Sequence, residues 1–407
     1  MSSDSPTRPI CSSPSVTRSD SIAPRRPLRA SERGPRSPCG ARSVVSRDVN
    51  AEHGFGRRGF LAGAGAVAAG LPFVGRTPAN AVPVAADIAK LPFPTERSLR
   101  ILITGDAGTG NRNQWAVAEA MREQHRRAPF ALALGLGDNI YERGPNGADD
   151  PQFREKFENP NAGLDFPWLM ALGNHDNSSV VPGDGGWLLR GNDEVEYHAR
   201  SARWWMPSRY YSVAIPARQP VVEFFVLDVN PLAAYLPPIF SPYWSPDGQF
   251  MNEQRAWLDA ALDASAATWK IACTHHPYLN NGPHGNAGRY EGIDIAPLNG
   301  VHAQRFFEDH VLGRTHLLLS GHDHSLQVLE PTPATRGTRQ IVSGAAAKTV
   351  AAEPKINPTG TNPALFENYH QLGFMVMDLT PDRIDLAVHT VDPTGGPAVE
   401  AFARRLA

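Results

Sequence analysis

Five short turns along the 407-residue sequence carry side chains that bind metal ions. Together they supply carboxylates, imidazoles, an amide and a phenol, which are oxygen and nitrogen donors that metal ions can bind. The turns read Gly105-Asp106-Ala107-Gly108, Gly137-Asp138-Asn139-Ile140-Tyr141, Gly173-Asn174-His175-Asp176, Thr274-His275-His276-Pro277 and Gly321-His322-Asp323-His324. A lone Gly-Asp is most often a capped turn, and alternate histidines also occur on plain surfaces. All five turns in one chain instead indicate a metal site.

Each turn follows a short apolar run, so strands must position the site. In open α/β sheets, side chains just beyond the carboxyl ends of strands meet in one crevice. The apolar runs predict strands at 99–104, 130–134, 168–172, 210–214, 221–227, 269–274, 315–319, 326–329, 340–342, 374–378 and 384–389. Strands alternate with helices early and mostly follow one another later. This order favours a layered α/β or α/β/α sandwich in one domain.

Helical spacing of apolar residues predicts three helices, at 113–126, 252–264 and 301–312. The predicted apolar face of the first helix consists of Trp115, Val117, Ala118 and Met121. Two segments are predicted to be loops at the rim. Residues 231–249 are crowded with proline and aromatic residues, so they are expected to be neither helix nor central strand. Residues 278–292 are rich in Asn and Gly.

The motifs resemble those of the calcineurin-like metallophosphoesterases, and within them the purple acid phosphatases of the small, mammalian tartrate-resistant type. The distinguishing residue is Tyr141 in Gly-Asp-x-x-Tyr. Further matching strings are Gly-Asn-His-Asp at 173–176, Arg-Trp-Trp-Met-Pro at 203–207, Gly-His-Asp-His-Ser-Leu-Gln at 321–327 and Ser-Gly-Ala at 343–345. The resemblance runs from about Leu99 to the C-terminus, and it implies a four-layer α/β/β/α sandwich with a single catalytic domain.

The resemblance also implies a binuclear metal centre. It assigns Fe(III) to Asp106, Asp138, Tyr141 and His324, and a divalent Fe, Zn or Mn ion, bridged through Asp138, to Asn174, His275 and His322. Anionic phenolate and carboxylate suit a trivalent ion, whereas imidazole and amide suit divalent ions. A bridging carboxylate can hold two cations at about 3.5–4 Å, as two-metal hydrolysis requires. Without the resemblance, the two aspartates could cap turns, and His275 and Tyr141 could be core residues.

The function implied by the resemblance is an exported phosphatase that hydrolyses phosphate monoesters by attack of a metal-bound hydroxide on phosphorus. His175 is then expected to stabilise the developing charge or to protonate the leaving alkoxide, its alternative being a solvent-facing turn histidine. His276 and His284 are candidate substrate contacts, although His276 could equally pack. Asp176 and Asp323 are expected to orient histidines or cap turns.

Two other functions are compatible with the same residues. One is a phosphodiesterase or a nucleotide or pyrophosphate hydrolase that uses the same site. The other is an iron-dependent redox or binding protein with residual hydrolysis. The sequence also departs from the family pattern: Ala272 replaces a valine, and Asn280-Asn281 stands before Gly282-Pro283 where small members have Glu-His. The proton donor is therefore open, with His284 and His276 as substitutes.

The charge distribution disfavours nucleic acid as a partner. Residues 1–81 contain 12 of the 39 Lys+Arg and 5 of the 41 Asp+Glu residues, so the remaining 326 residues carry a net charge of −9. Nucleic acids and anionic lipids require clustered basic residues, whereas a small phosphate ester can be bound through metal. Only Cys273 lies beyond residue 81, after Cys11 and Cys39, so no internal disulfide is expected in the body of the protein.

The N-terminal region resembles an export signal. Residues 51–81 contain Arg57-Arg58-Gly59-Phe60-Leu61, a weakly apolar run and Ala79-Asn80-Ala81, the order of a twin-arginine signal peptide. We expect the twin-arginine export machinery as a partner and a periplasmic, cell-wall or secreted location. The apolar run is too short for a stable membrane anchor. Residues 82–98 are then a linker, and residues 99–407 are the catalytic domain.

Residues 1–50 are rich in Ser, Arg and Pro, and we expect them to be a disordered leader. This leader is long for the region before an arginine pair, and Met121 is the next methionine after Met1. The hypothesis that follows is that the leader is not translated and that translation begins near Val44, Val45 or Val49. N-terminal sequencing of the unprocessed precursor tests this hypothesis, which a sequence beginning at Met1 would exclude.

Overall fold

A computed structural model describes residues 88–178, 181–186, 188–233, 241–350 and 361–407. Within these ranges, two seven-stranded mixed sheets form the framework. The strands are β1 (Leu99–Thr104), β2 (Leu132–Gly135), β3 (Trp168–Met170), β4 (Trp204–Trp205), β5 (Tyr211–Ile215), β6 (Val222–Val226), β7 (Trp269–Cys273), β8 (Leu317–Ser320), β9 (Leu326–Leu329), β10 (Arg339–Ser343), β11 (Ala364–Asn368), β12 (Leu372–Thr380), β13 (Arg383–Val391) and β14 (Val399–Arg405).

The first sheet has the order β14-β13-β12-β1-β2-β3-β4, and the second has the order β11-β9-β10-β8-β7-β6-β5. In the first sheet, β1 to β4 run parallel, while β12 is antiparallel to β1. In the second sheet, β6, β7, β8 and β10 run parallel. The central strands of each sheet are therefore parallel, and their carboxyl ends lie along the same edge of the sheet.

The strands of the second sheet divide their side chains between two hydrophobic cores. Phe224 packs with residues of the first sheet in the core between the sheets, whereas its neighbour Phe225 packs with the helices. Leu317 and Leu319 lie in the core between the sheets, and Leu318 lies on the helical side. This alternation follows from the two-residue period of a strand, and it explains why these buried strands are apolar on both faces.

Helices cover the outer faces of both sheets. They are α1 (Arg112–Arg127), α2 (Gly191–Tyr197), α3 (Asn230–Ala233), α4 (Gln249–Ala264) and α5 (Val301–His310). Val117 and Met121 of α1 pack with the first sheet, while Leu258 of α4 and Phe306 of α5 pack on the second. The predicted α/β/β/α sandwich is confirmed.

Helix α1 shows how the sequence sets its ends. The Asn111 side chain accepts a hydrogen bond from the Gln114 backbone N–H at 3.1 Å, which caps the first turn. The last turn carries Arg126 and Arg127, whose positive charge complements the helix dipole. One predicted core position is wrong: Trp115 is 42% exposed, because Ala116 occupies the buried side of that turn.

The other differences from the sequence prediction lie at short or peripheral elements. The apolar pattern does not predict strands β4, β11 and β14 or helices α2 and α3. The predicted loop at 231–249 is wrong at both ends, since Pro231 lies within α3 and Gln249 begins α4. Proline is tolerated in the first turn of a helix, where its missing N–H has no partner to lose. Between these helices, Pro242–Trp244 forms a 3-10 turn.

The predicted leader and signal peptide lie outside the described residues. From residue 88 onwards, the predicted linker lies against the domain: the Phe93 and Trp205 rings pack edge to face, 4.7 Å apart, and Lys90 Nζ donates to the Ser201 carbonyl at 2.7 Å. Cys273 is a buried, free thiol. Among the helices of the described ranges, none combines the length and apolar character needed to cross a bilayer.

Candidate metal centre

The predicted ligands meet where five strands of the two sheets end. Asp106, Asp138 and Asn174 follow the parallel strands β1, β2 and β3 of the first sheet. His275 and His322 follow the parallel strands β7 and β8 of the second. The structure places six of the seven predicted metal ligands in two groups of three, and the seventh, Asp138, contacts both groups.

The first group, here called the phenol cluster, consists of Asp106, Tyr141 and His324. Tyr141 Oη donates a hydrogen bond to Asp106 Oδ1 at 2.9 Å, and it lies 3.1 Å from His324 Nε2. His324 Nε2 is 3.6 Å from Asp106 Oδ1. Three potential donor atoms of different residues thus lie close enough to share one cation.

The second group, the amide cluster, consists of Asn174, His275 and His322. Asn174 Oδ1 lies 2.9 Å from His275 Nε2 and 3.0 Å from His322 Nδ1. The two imidazole nitrogens are 3.3 Å apart. His275 Nδ1 donates to the Leu136 carbonyl at 2.8 Å, which fixes the ring with Nε2 directed at the cluster, the orientation that a metal-ligating histidine requires.

Asp138 contacts both clusters. Its Oδ1 lies 3.4 Å from His275 Nε2 in the amide cluster, and its carboxylate also makes a hydrogen bond with Tyr141 of the phenol cluster. Asp106, Asp138 and His275 are all buried, and one potential ligand atom of each lies within 4.8 Å of the others. This placement suits a carboxylate that binds two ions.

The backbone is strained at three of these residues. Asp106, Asp138 and His322 have φ angles of 59°, 53° and 69°, in the left-handed region that few residues other than glycine occupy. Strain of this kind persists only where the surrounding structure holds it in place, and it clusters at functional sites.

The neighbouring glycines allow the turns to approach each other. A Cβ on Gly173 would lie 2.2 Å from Asp138 Oδ1, and a Cβ on Gly321 would lie 2.4 Å from Asp106 Oδ2. Both distances are far below van der Waals contact. The carboxylates of Asp138 and Asp106 therefore leave no room for a side chain at Gly173 or Gly321.

The electrostatics of the bare site are unfavourable for several anions at once. Burial raises the pKa of Asp106 to about 8, with repulsion from Asp138 contributing. Burial and the same two carboxylates raise the pKa of the Tyr141 phenol well above its usual range. Burial opposes protonation of His275, but the adjacent Asp138 raises its pKa to about 9. Without cations the clusters therefore hold protons, which metal binding displaces.

The donor sets fit two different cations. The phenol cluster offers a phenol and a carboxylate, ligands that suit a hard trivalent ion. The amide cluster offers two imidazole nitrogens and an amide oxygen, which suit a divalent ion. Asp138 connects them. The buried, mutually repelling carboxylates and the two facing imidazole nitrogens are arrangements that a cation stabilises.

The three predicted non-ligand histidines surround this centre. The His175 ring lies 4.3 Å from the Tyr141 ring, centroid to centroid, and its Nδ1 donates to the Glu142 carbonyl at 2.8 Å. His276 is buried, with its ring 4.4 Å from the His322 ring. The His284 ring lies 4.3 Å from the His322 ring, and its side chain is 22% exposed. His284 thus has an open side, and His276 does not.

The aspartates next to the histidines organise loops. Asp176 accepts hydrogen bonds from the backbone N–H groups of Ile140 at 2.9 Å and Gly173 at 2.7 Å. Asp323 accepts from Asn280 Nδ2 at 2.8 Å and from the His284 backbone N–H at 3.2 Å. Asp176 therefore ties the second turn to the third, and Asp323 fixes the Asn280-Asn281 loop.

Three charged residues near the site belong to no motif in the sequence. Glu194 is fully buried behind the Asp138 turn, where Asn139 Nδ2 donates to its Oε2 at 2.9 Å. Glu291 pairs with His284 Nδ1. The Lys348 ammonium lies over the Tyr141 ring, 3.8 Å from its centroid. Each comes from a segment without a ligand motif, and no local signal marks it.

Known proteins resemble this chain in sequence and fold. The family described as calcineurin-like phosphoesterase matches residues 99–326. Purple acid phosphatase 4 of Arabidopsis thaliana is 28% identical over 319 residues, which cover 76% of this chain and 84% of that protein. Tartrate-resistant acid phosphatase type 5 of Rattus norvegicus is 27% identical over 261 residues, which cover 61% of this chain and 72% of that protein.

A solved structure described as GAP50, the anchor in the inner membrane complex of Plasmodium, matches the fold. Its TM-score is 0.58 at 17% identity, over 76% of this chain and 89% of that chain. An identity this low supports the shared fold alone. With the two relatives, the comparisons confirm the predicted resemblance to the purple acid phosphatases and the prediction of an acid phosphatase-like metallophosphoesterase.

Proposed function

The chain belongs to the calcineurin-like phosphoesterases, and on that premise we propose that it is an exported phosphatase that hydrolyses phosphate monoesters at a binuclear metal centre. The observation that carries the proposal is the meeting of two chemically different donor clusters around one shared carboxylate, Asp138. The names of the two relatives, both acid phosphatases, support the same activity.

In this proposal, the phenol cluster holds Fe(III) and the amide cluster holds a divalent Fe, Zn or Mn ion, with Asp138 as ligand to both. Two such ions would supply a lowered pKa for a water molecule and positive charge to balance that of the phosphoryl group. The protein holds the ligand atoms in place through the strained turns and the backbone contacts described above, so little reorganisation is needed on binding substrate.

His175 is the proposed catalytic residue. Its backbone N–H donates to Asp138 Oδ1 at 2.9 Å, which couples its position to the metal ligands. Its ring is held by the hydrogen bond to the Glu142 carbonyl and by contact with the Tyr141 ring. The His175 side chain is 15% exposed. A ring at this position can donate to a phosphoryl oxygen or to the leaving alkoxide.

His284 is the better candidate for a second substrate contact. Glu291 pairs with its Nδ1, which fixes the ring and leaves Nε2 for other partners. His276 is buried against two imidazoles, which fits the packing role better than substrate contact. The Asn280-Asn281 loop bonds to Asp323 and Glu367, so it supports His284 structurally.

A direct test measures phosphate release from an aryl phosphate by purified protein across a chelator series. We expect activity that the chelator abolishes and that iron with a divalent ion restores. Metal analysis of natively exported protein should find iron and a second metal in each chain. Absence of chelator-sensitive release would contradict the proposal, whatever the metal content.

The competing substrate is a phosphodiester, nucleotide or pyrophosphate bound at the same centre. Comparison of kcat/KM for matched aryl mono- and diesters separates these classes, since the ratio reports differential stabilisation of the transition states. A monoester preference supports the proposal. A redox or binding role is tested by Asn174→Ala, which removes hydrolysis; a physiological phenotype that survives this change would favour that role.

The proposed location is outside the cytoplasm, reached through the twin-arginine machinery and without a stable membrane anchor. Its support is the Arg57-Arg58-Gly59-Phe60-Leu61 string. Replacement of both arginines by lysine should retain the protein in the cytoplasm, as fractionation and immunoblotting would report. Export of this variant at the normal level would contradict the proposed route, without affecting the proposed activity.

A further inference from the structure

Lys348 places a buried positive charge beside the phenol cluster. It lies on the loop that follows β10, and its side chain is only 10% exposed. Its ammonium nitrogen lies over the Tyr141 ring, 3.8 Å from the ring centroid. The distance is well inside the range of about 6 Å for cation–π attraction. A lysine held in this way has given up most of its hydration for contact with the ring.

The same ammonium group is tied to the residue after Tyr141. Lys348 Nζ lies 3.0 Å from Glu142 Oε1, and the Glu142 backbone carbonyl accepts the hydrogen bond from His175 Nδ1 at 2.8 Å. The His175 ring in turn contacts the Tyr141 ring. Lys348 thus touches the phenol directly, and it reaches the proposed catalytic histidine through Glu142.

A cation on the face of a phenol ring changes the electronic properties of that ring. It attracts the π electrons, and it attracts them more strongly when the phenol is ionised, because water is largely excluded from this position. Electron transfer from a phenolate to Fe(III) on absorption of light moves negative charge away from the ring. The nearby ammonium therefore raises the energy of this transition.

We propose that Lys348 is a positioning residue that tunes the Tyr141 phenolate through the ring face and holds His175 in place through Glu142. The inference rests on the proposed function, because it takes Tyr141 as a ligand of Fe(III). The alternative is that Lys348 forms an ordinary ion pair with Glu142 that affects neither the ring nor His175.

The test compares the visible absorption of iron-loaded variants. Lys348→Met removes the charge but keeps the length of the side chain, and Lys348→Arg restores the charge. We expect the charge-transfer band of Lys348→Met to move to longer wavelength by an amount on the order of tens of nanometres, and the band of Lys348→Arg to stay close to that of the wild type. Lys348→Gln serves as the second neutral variant if circular dichroism finds Lys348→Met unfolded.

Lys156→Met is the matched control. Its ammonium donates to the Tyr141 backbone carbonyl and not to the ring, so loss of this charge should leave the band in place. A comparable shift in Lys156→Met would mean that any nearby charge has the same effect, and it would overturn the ring-specific role. An unmoved band in the neutral Lys348 variants would also overturn it.

The link to His175 has a kinetic readout. We expect kcat of Lys348→Met to fall about 3- to 30-fold with a smaller change in KM, and Glu142→Gln to lower kcat without moving the band. An unchanged kcat in both variants would overturn this part of the inference. A colourless wild type that still releases phosphate would overturn the ligand role of Tyr141 and with it the tuning role of Lys348, while the phosphatase proposal would stand.

Discussion

The phenol cluster and the amide cluster lie side by side, yet they are built differently. In the phenol cluster, Tyr141 donates to Asp106, and a lysine covers the Tyr141 ring. In the amide cluster, a neutral oxygen of Asn174 faces the nitrogens of His275 and His322. The donor chemistry therefore differs within a few ångströms, and the two clusters suit different types of ion.

Asp138 is the residue on which both clusters depend, so its replacement has the largest expected effect. We expect Asp138→Asn to lower kcat/KM by about a thousandfold or more, because a neutral amide cannot balance two cations. Metal analysis should find less of both ions per chain. Asp259→Asn, a change in a partly buried ion pair with Arg314, should retain activity. A loss of only one metal from Asp138→Asn would contradict the shared role.

His322 and His324 are two residues apart, but they belong to different clusters. We expect His322→Ala to lose the divalent ion and His324→Ala to lose iron, each with a fall in activity of about a hundredfold or more. Metal content and visible colour distinguish the two variants. His310→Ala, which removes a histidine paired with Asp259, is the control. If both variants lost the same metals, the assignment of one ion to each cluster would be contradicted.

Tyr141→Phe tests the phenol cluster by its colour. A phenolate bound to Fe(III) gives a charge-transfer band in the visible region, so the wild type is expected to be violet and the variant colourless. Activity should fall by no more than about tenfold, since Asp106, Asp138 and His324 remain. Tyr197→Phe removes another buried hydroxyl, bonded to Glu158 at 3.0 Å, and should keep the band. A colourless, iron-replete wild type would contradict the ligand role.

The smallest expected effect concerns Glu194, which supports the Asp138 turn through Asn139. Burial, and then the charge of Asp176, raise the pKa of Glu194 well above its usual value of 4.5. Between pH 4.5 and the folded pKa, Glu194 therefore keeps its proton in the folded protein and loses it in the unfolded chain. The stability contributed by this group is complete below pH 4.5 and is lost as the pH rises towards the folded pKa.

Glu194→Gln removes this titration while it keeps an oxygen for Asn139. We expect its melting temperature at pH 7 to exceed that of the wild type by a few degrees, with the difference shrinking at pH 4. Thermal unfolding at several pH values measures this. A difference independent of pH would mean that packing, and not ionisation, controls the effect.

The central strands, and the meeting of the candidate ligand residues at one place, could be predicted because their signals are local. Strand β1 was predicted with its observed bounds, since a buried strand is a continuous apolar run bounded by a turn. The ligand motifs are short strings whose spacing is fixed by the turn that holds them. The apolar runs and the ligand strings can both be recognised without knowledge of any distant contact.

The parts that were not predicted depend on contacts between distant segments. Strand β14 is largely exposed and carries charged residues, so only its pairing with β13 makes it a strand. Trp115 matches helical spacing, but the sheet lies on the side of Ala116. Lys348 is positioned by Tyr141 and Glu142, more than 200 residues earlier in the chain. No local pattern predicts its place beside the site.

The left-handed backbone at Asp106, Asp138 and His322 limits how this centre can evolve. Asp, Asn and His are the residue types, apart from glycine, that adopt this conformation most readily. Metal chemistry and backbone geometry therefore select the same few amino acids, and exchange among them preserves the turn. Replacement by valine or isoleucine would remove the donor atom and also disfavour the left-handed turn, so few substitutions are compatible with these positions.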